Sequence, residues 1–592
     1  MKNKKIQPNE KLNKIRHSAA HIMAQAVGER FEEEGPVYFA GGPPIEDGFY
    51  YDFLLPRKLE QEDLIWIKNR MKDVILESPV FLKEIIDEQA AREKFSDQPF
   101  KLEIIEGILS GSLNEDGIEA KDSKPEISIY RHLDFADLCS GPHVHDAGEI
   151  PVDGFKIHRL AGAYWKGDER NPMLQRIYAL CFESKKALDK YLALLEEAKK
   201  RDHRLIGKEL DLFFFSEDAP GMPYWLPNGL QIYEELISFW RKEHKRRGYQ
   251  EISSPLIHHQ DMWEVSGHWE HFRDEMFLMK NPKDPDKYLG MKPMNCPDAM
   301  VVFNHKKRSY RELPLRLADC DSLPRFEKSG ALHGLLRVRS FSQDDAHIFL
   351  MQSQVKNEIE NILDLVDRFY SIFGLSYNFR LGLRPNKFVG DPGQWDEAEE
   401  ILHQILNSRF QADKYSIDPG EGAFYGPKID IMIEDSLGRE WQMGSIQLDF
   451  QLPQRFGCKF VNQRGDDEVP IVVHRVIYGS MERFIGILLE HFAGRLPPWI
   501  APIQIALLPV ADRHSEYCAH IMSLCEEIGL RVIELAPKDR IPARVSMAEK
   551  QKIPFIAIVG DQEESAGSIS LRMGKKRKSH SMPILDFIQH VE

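Results

Sequence analysis

No stretch of the 592 residues approaches the roughly 18 consecutive apolar side chains that a bilayer-spanning helix needs, and the charged opening MKNKKIQPNEKLNK has no apolar segment behind it. Membrane insertion and secretion are therefore not expected. Cysteine is scarce too: seven residues, at 139, 181, 296, 320, 458, 518 and 525, odd in number and without framework spacing. A disulfide scaffold is excluded, and reduced thiols in a cytoplasmic compartment are expected. The absence of low-complexity tracts and fixed-period repeats excludes disordered scaffolds and solenoids. Positive charge is in deficit, 78 Lys and Arg against 93 Asp and Glu for a net of −15, which disfavours long-range attraction to a polyanion.

What is present is ordinary globular composition, 42% hydrophobic and 29% charged, over a length that calls for roughly three or four domains. Three basic segments interrupt the acidic background: Lys199–Arg204 (KKRDHR), Lys242–Arg247 (KEHKRR) and Lys575–Lys578 (KKRK). Taken singly, each reads as a solvated face. In KKALDKYLALLEEAKKRDHR, Leu188, Tyr191, Leu192 and Leu195 recur at helical spacing, so a helix joining two domains is expected over residues 185–206. Upstream, beyond a tail of residues 1–10, residues 11–184 mix short apolar runs with Gly-Pro turns such as GGPPIEDGFY. Downstream, Ile232, Leu236, Phe239 and Trp240 share a helical face, Gly248 suits the left-handed position past a helix end, and a strand is expected from Tyr249 to Ser253.

Alternation in Leu313–Cys320 and Leu335–Phe341 predicts an antiparallel hairpin with a long tip around Lys328–Gly330. Ile471–Val473 reads as a short strand, and Ser480 as the cap of a helix burying Ile485, Leu488, Leu489 and Phe492. After Pro497 and Pro498 the pattern becomes βαβ: strands at Ile503–Leu508, Arg531–Leu535 and Pro554–Val559, with a helix around His520–Ile528, make residues 499–592 a small domain with a parallel or mixed sheet.

Two arginines are the first chemical signal. Arg325 in PRFE at the hairpin loop and Arg483 in GSMERF at a helix start would aim guanidinium forks at one place if hairpin and helix share a sheet. Bidentate planar donors suit phosphate oxygens, and a helix N-terminus adds favourable potential for an anion. Singly, each arginine reads as a surface ion pair; the pair together is what is specific.

The stretch RLADCDSLPRFEKSGALHGLLRVRSFSQDDAHIF, followed by HRVIYGSMERFIGIL, resembles motifs 2 and 3 of class II aminoacyl-tRNA synthetases, and the helix and strand ending at Pro255 resemble motif 1. MKPMNCP, GAFYGPKID, WQMGSIQLDF and YWKGDERNPMLQRIYA narrow the resemblance to the threonyl-tRNA synthetase family, and it runs from about Leu12 to the C-terminus. The family implies an α+β multidomain fold: an N-terminal α+β editing domain (11–184), the linker helix (185–206), a class II antiparallel-sheet catalytic domain (207–498) and a C-terminal α/β anticodon-binding domain (499–592). It implies adenylation of L-threonine with Mg²⁺ and ATP, transfer to the end of tRNA(Thr), and a cytoplasmic homodimer whose interface comes largely from motif 1.

By the same resemblance, Arg325 holds the α-phosphate, Glu327 the adenine amino group and Arg483 the γ-phosphate; Phe341 stacks on the base, and Arg337 lies near the phosphates. The reaction is an in-line displacement at phosphorus, which calls for cations and positioning rather than a covalent residue. Met294, Gln343, Tyr425, Gln447 and Ser480 line the threonine pocket with Lys428, which is counted with the catalytic groups, and His268 helps to deprotonate the tRNA hydroxyl.

Cys296, His347 and His474 match the family's zinc ligands. Their spacing follows no local pattern, and a lone His or Cys on an apolar strand is more often packed than metal-bound. One thiolate and two imidazoles leave an open position, as expected of a substrate-binding Zn²⁺ site. Such a site, with Asp345 accepting the substrate hydroxyl, rejects valine by about 10⁴-fold, whereas serine lacks only a methyl worth roughly 1–3 kcal/mol. A second, corrective active site is therefore expected. RHSAAH places His17 and His21 on one helical face, and DLCSGPHV supplies Asp137, Cys139 and His143. A zinc site of the alanyl-tRNA synthetase kind is one reading. The favoured one is a metal-free pocket hydrolysing seryl-tRNA, and histidines merely buried in a core are a poor third reading because five polar groups would need partners together.

The chain departs from the family in two places. It starts almost directly at the editing domain, without the small ubiquitin-like domain that most members carry first. In the anticodon-binding domain Glu563 and Arg572 match base-reading positions, but Lys538 and Ser546 replace the usual Asn and Arg, and Arg544 is the expected substitute. Two rivals remain: a synthetase-derived RNA-binding regulator without ligase activity, and a metallohydrolase built on the N-terminal His/Cys cluster.

Overall fold

The computed structural model describes residues 10–110, 127–410, 414–435, 438–573 and 580–591. The basic segment Lys575–Lys578 lies outside them. The chain divides into two compact units, residues 1–196 and 197–592.

In the first unit the helix Glu10–Phe31 is buried almost continuously from Ile15 to Val27. Ala19, Ala20, Ala24 and Ala26 have no side chain beyond Cβ, so neighbouring elements pack on several sides of this helix at once. It packs against Gly48–Leu54 and Gln61–Glu77. The sheet runs Tyr38–Phe39, Gly48–Leu54, Met173–Cys181, Phe155–Tyr164, with Pro44–Ile45 paired on Gly48–Leu54. A smaller antiparallel sheet, Leu82–Ile86, Ile127–His132 and Phe135–Leu138, carries the chain towards Cys139.

The linker reading needs correction. The helix Lys185–Arg201 stops, and a separate helix, His203–Glu209, starts at Asp202, whose carboxylate accepts the Arg204 N–H. A short acidic side chain that bonds the backbone favours a cap over helix continuation, and here the cap wins.

The second unit is built on a nine-stranded sheet with the order Gln250–Glu251, Leu315–Asp319, Ser340–Leu350, Ile471–Ser480, Glu440–Asp449, Lys428–Glu434, Tyr377–Gly382, Tyr415–Asp418; Ser322–Pro324 pairs on Ser340–Leu350. It is antiparallel except at its two ends. Pro227–Arg246, Val355–Ser371, Pro392–Arg409 and Met481–His491 contribute Trp240, Phe369, Leu402 and Leu488 to the core cluster that the sheet strands share. Gly248 has φ +74°, as its place past a helix end requires, but the following strand is only Gln250–Glu251.

The hairpin exists with a different second strand. Leu315–Asp319 pairs with Ser340–Leu350, whereas Leu335 and Leu336 sit in a 3₁₀ turn. The two leucines are buried by packing on Met481–His491, an alternative way to satisfy apolar side chains that alternation alone cannot distinguish from a strand. Ile471 opens a strand that runs to Ser480, whose hydroxyl caps the next helix by accepting the Arg483 N–H. The C-terminal strands form a mixed sheet in which Val532–Glu534, Ile505–Pro509 and Phe555–Val559 are parallel and Ser568–Met573 and His580–Pro583 antiparallel.

Candidate active site

Strand register brings the zinc-ligand candidates together. His347 pairs directly with His474, His474 with Gln447, and Gln447 with Lys428, so four neighbouring strands line these residues up in one row. The next row is Asp345, Val476, Ser445 and Asp430. Cys296 comes from outside the sheet, at the start of the helix Cys296–Asn304. Its sulfur and the two imidazoles offer ligand atoms all within 4.8 Å of one another.

These groups fit a cation. Both ring nitrogens of His347 and Nδ1 of His474 are buried without a hydrogen-bond partner. His474 Nε2–H donates to Asp449 at 2.8 Å, which fixes the tautomer with Nδ1 as a lone-pair donor. Asp449 is itself held by the N–H groups of Gln451 and Leu452. Burial, then the charges of Asp345 and Asp449, push the Cys296 thiol well up, and burial pushes His347 well down. A buried imidazole with two orphaned nitrogens is costly unless something takes a lone pair. A borderline-soft ion with N and S ligands is what this donor set suits.

Above the sheet lies a cavity of about 550 Å³. Arg325, Glu327, Arg337, Phe341, Met294, Gln343, Asp345, Tyr425, Lys428, Gln447, Ser480 and Arg483 all line it, with Cys296 and His474. Arg325 is half-buried; its Nε–H donates to the Pro293 carbonyl at 3.1 Å and its guanidinium lies 5.1 Å from the Phe341 ring centre. Arg483 donates from Nε to Leu336 and from a terminal nitrogen to Gln442, each at 2.9 Å. Burial, then the nearby charges of Arg337 and Arg325, lower the Arg483 pKa, so three guanidinium groups share one region. Arg337 pairs with Glu327 at 3.0 Å. Tyr425 donates to Gln447, and Lys428 pairs with buried Asp430 at 2.9 Å. A bulge between Gln343 and Asp345 turns that strand at the cavity.

His268 does not join this wall. It is fully buried, with Nδ1 at 2.8 Å from Ser266 and Nε2 at 3.2 Å from the Met294 sulfur. Burial, then the charges of His474 and Arg325, push it down to about 3, so the ring is neutral behind Met294.

In the first unit His17, His21, Cys139 and His143 form a second compact group. Cys139, His143 and one nitrogen of His17 are hydrogen-bonded within it, while His21 Nδ1 is buried without a partner. Ser18 donates its one proton to the Lys14 carbonyl at 2.8 Å, so the 3.0 Å contact with His143 requires Nδ1–H to donate. His143 Nε2 then accepts from the Cys139 thiol at 3.2 Å, and the sulfur receives His17 Nε2 at 3.3 Å and the Gly141 N–H at 3.2 Å. Burial, followed by neighbouring rings, holds His21 and His143 well below the usual range, hence neutral. Asp137 is not part of the group. It pairs with buried Lys101 at 2.6 Å and accepts from Tyr51, because a carboxylate carried inward by the strand Phe135–Leu138 needs a cation more than imidazoles do.

The base-reading candidates are engaged internally. Glu563 accepts the Gly560 N–H, and Arg572 pairs with Glu549 at 2.6 Å. Lys538 and Ser546 are exposed. Arg544 cannot take over: it is 2% exposed, with its guanidinium spent on the carbonyls of Pro509, Leu535 and Asp539. The arginines of the described basic segments form ion pairs, Arg201 with Glu197 and Arg204 with Asp202 at the surface and Arg246 and Arg247 with the buried Glu243, whereas the histidines of the same runs, His203 and His244, are buried.

Comparison with known proteins decides the family. The chain is 44% identical over 579 residues to a threonine–tRNA ligase of Desulforamulus reducens, covering 98% of this chain and 88% of that one. It is 44% identical over 577 residues to another of Caldanaerobacter subterraneus subsp. tengcongensis, covering 97% and 86%. The chain belongs to the threonyl-tRNA synthetase family. Models of that family's parts match accordingly: the class II core domain (G, H, P, S and T) over residues 277–492, the anticodon binding domain over 504–592, and the threonyl and alanyl tRNA synthetase second additional domain over 127–178. Among solved structures, the RNA binding domain of threonyl-tRNA synthetase from Cryptosporidium parvum superposes with a TM-score of 0.63 at 37% identity, covering 66% of this chain and 97% of that one.

Threonyl-tRNA synthetase motifs named the cavity residues but not their supports. Asp449, at the end of the family stretch WQMGSIQLDF, is fully buried, and a carboxylate closing an apolar strand is the signal that could have found it. Lys101 gives a similar signal, as a lone cation on the apolar helix Pro99–Leu109. Among the described residues, no helix is long and apolar enough to cross a membrane.

Proposed function

We propose that the chain is a threonine–tRNA ligase that forms threonyl-adenylate from L-threonine and Mg²⁺-ATP in the 550 Å³ cavity and transfers threonine to the 3′ end of tRNA(Thr). The observation that carries this reading is the row His347–His474–Gln447–Lys428 with Cys296, of which Cys296, His474, Gln447 and Lys428 line the same cavity as half-buried Arg325 and Arg483. Backbone carbonyls take the Nε–H of both arginines, which fixes the forks and leaves terminal N–H groups for phosphate oxygens. As the threonine carboxylate oxygen attacks the α-phosphorus and the bond to pyrophosphate breaks, Arg325 stabilises charge at the reacting phosphorus and Arg483 on the departing group. Phe341 supplies an aromatic face for adenine and Glu327 an acceptor for its amino group.

Cys296, His347 and His474 would hold Zn²⁺. When bound, it supplies a Lewis-acidic position for the amino and hydroxyl groups of threonine. Asp345 accepts the hydroxyl proton, so valine leaves a buried acceptor unpaired and is refused by about 10⁴-fold, while serine is refused only by roughly 10–200-fold. Correction falls to the N-terminal unit, where His17, His21, Cys139 and His143 position water against a seryl ester without a metal, beside the Lys101–Asp137 pair. The working form is a cytoplasmic homodimer. His268 is left out of the transfer step, because Met294 stands between it and the substrate cavity.

Threonine-dependent ATP–pyrophosphate exchange tests the reading. Exchange is expected for wild type and lost by at least about 10³-fold in Arg325→Ala and Arg483→Ala. A zinc-loaded wild type without exchange would favour the RNA-binding regulator.

A further inference from the structure

A third group, this one of a histidine and two carboxylates, Asp202, His203 and Glu490, also has ligand atoms all within 4.8 Å of one another. Its hydrogen bonding points elsewhere. His203 is fully buried; its Nδ1–H donates to Glu490 at 2.7 Å and its Nε2 accepts the Leu335 N–H at 3.0 Å. With both nitrogens engaged, no lone pair is left for an ion.

The bonds close a circuit. Leu335 belongs to the turn Gly334–Leu336, and the next carbonyl, Leu336, accepts Arg483 Nε–H at 2.9 Å. Arg483 and Glu490 stand on one helix, Met481–His491, about two turns apart. The helix therefore holds the turn twice: directly at Arg483, and through His203 at Glu490. The fit is close at every step. A Cβ on Gly334, where φ is +51°, would lie 2.2 Å from His203 Nε2, and one on Gly486, between Arg483 and Glu490, would lie 2.9 Å from Leu336 Cδ2. Arg337, the next residue after the turn, also lines the cavity.

We propose that His203, oriented by Glu490, is a positioning residue for ATP. It fixes the Gly334–Leu336 turn, and through the Leu336 carbonyl it fixes the direction of the Arg483 fork, without touching substrate. The inference rests on Arg483 binding phosphate, as argued above. Sequence inspection passes over His203 because it reads as one more residue of the basic run KKRDHR; burial and pairing separate it from its neighbours.

Kinetics of the full chain separate positioning from general support. His203→Ala is expected to raise KM for ATP or lower kcat/KM for ATP by about tenfold to a hundredfold, with KM for threonine within about twofold of wild type. Glu490→Ala should reproduce this, Glu490→Gln should restore most of it because an amide oxygen still accepts Nδ1–H, and the double alanine variant should be no worse than either single one. Equal losses for ATP and threonine, or an unchanged ATP dependence, overturn the proposal. If His203→Ala does not fold, the Glu490 pair of variants decides by the same criteria. A wild type without exchange refutes the ligase reading instead. The positioning claim is then settled by calorimetric titration of Mg²⁺-ATP into wild type and Glu490→Ala, where equal affinities, including none, overturn it.

Discussion

Two clusters in this molecule draw on the same ligands, cysteine thiol and imidazole, and the difference between them lies in who satisfies the nitrogens. At Cys296, His347 and His474, three ring nitrogens are buried without partners, and a carboxylate, Asp449, already holds the remaining His474 nitrogen. At His17, His21, Cys139 and His143, the thiol, the rings of His17 and His143, Ser18 and the Gly141 N–H bond one another, and His21 Nδ1 is the one fully buried atom of the group without a partner. Composition alone makes both look like metal sites. Satisfaction makes the first hungry for a cation and the second close to self-sufficient. The same contrast excludes an ion at His203, where nothing is left over.

The sharpest way to break this comparison is to remove one thiol from each cluster. Cys296→Ala is expected to take zinc from about one per chain to near zero and to abolish threonine-dependent exchange, a loss of at least about 10³-fold, since an open site with three protein ligands cannot spare one. Metal analysis of the same preparations would show two ions per chain, one of them removed by His17→Ala, if the comparison is wrong. The matching change, Cys139→Ala, should leave zinc content and threonylation as they are. It should slow hydrolysis of seryl-tRNA by about a hundredfold, since a group within hydrogen-bond reach of the reacting proton contributes about 10²–10⁴-fold. Serine misacylation equal to wild type would remove Cys139 from that site.

These two sites were not equally legible. The arginines could be read early only as a pair, because a hairpin-loop arginine and a helix-start arginine point to anion binding when hairpin and helix share a sheet. The proposed zinc ligands could not be read from spacing: His347 and His474 meet because Ser340–Leu350 and Ile471–Ser480 pair in a register that sets them opposite each other, and Cys296 joins them from the start of a helix. The resemblance supplied what periodicity lacked. It did not prevent errors of environment. Asp137 and Cys139 are two residues apart in sequence, yet the carboxylate goes to Lys101 and the thiol to His17 and His143. Arg544 offers the right chemistry for base reading and is spent on three carbonyls. Leu335 and Leu336 alternate like a strand, and it is their packing on a helix that makes them a turn. Sequence patterns register what a side chain could do; partners decide what it does.

Asp449 sharpens the comparison at the first cluster. It would reach a bound ion only through His474, so Asp449→Asn should keep all three proposed ligands and still weaken zinc binding by about 10–100-fold, as partners of a ligating histidine commonly do. Competition with a chelator measures this directly. An affinity equal to wild type would mean that the tautomer of His474 is set by something other than Asp449.

The smallest effect expected is on stability and concerns the second cluster. His132 is buried beside it, with neither ring nitrogen bonded, and burial, opposed in part by Asp137 and Glu29, pushes it down to about 4. Below pH about 6.5 the unfolded chain binds a proton that the folded chain refuses, so stability falls with pH until the folded group itself titrates near 4. At pH 5 the loss is about 2 kcal/mol, fully absent above pH about 7.5. His132→Leu removes the titrating group and should flatten that part of the profile, read as the difference in unfolding free energy of the first unit between pH 7.5 and pH 5. If the group is as dry and metal-free as its hydrogen bonds imply, a chelator leaves both profiles where they are; a chelator-dependent acid limb would mean that an ion, not burial, keeps these rings neutral.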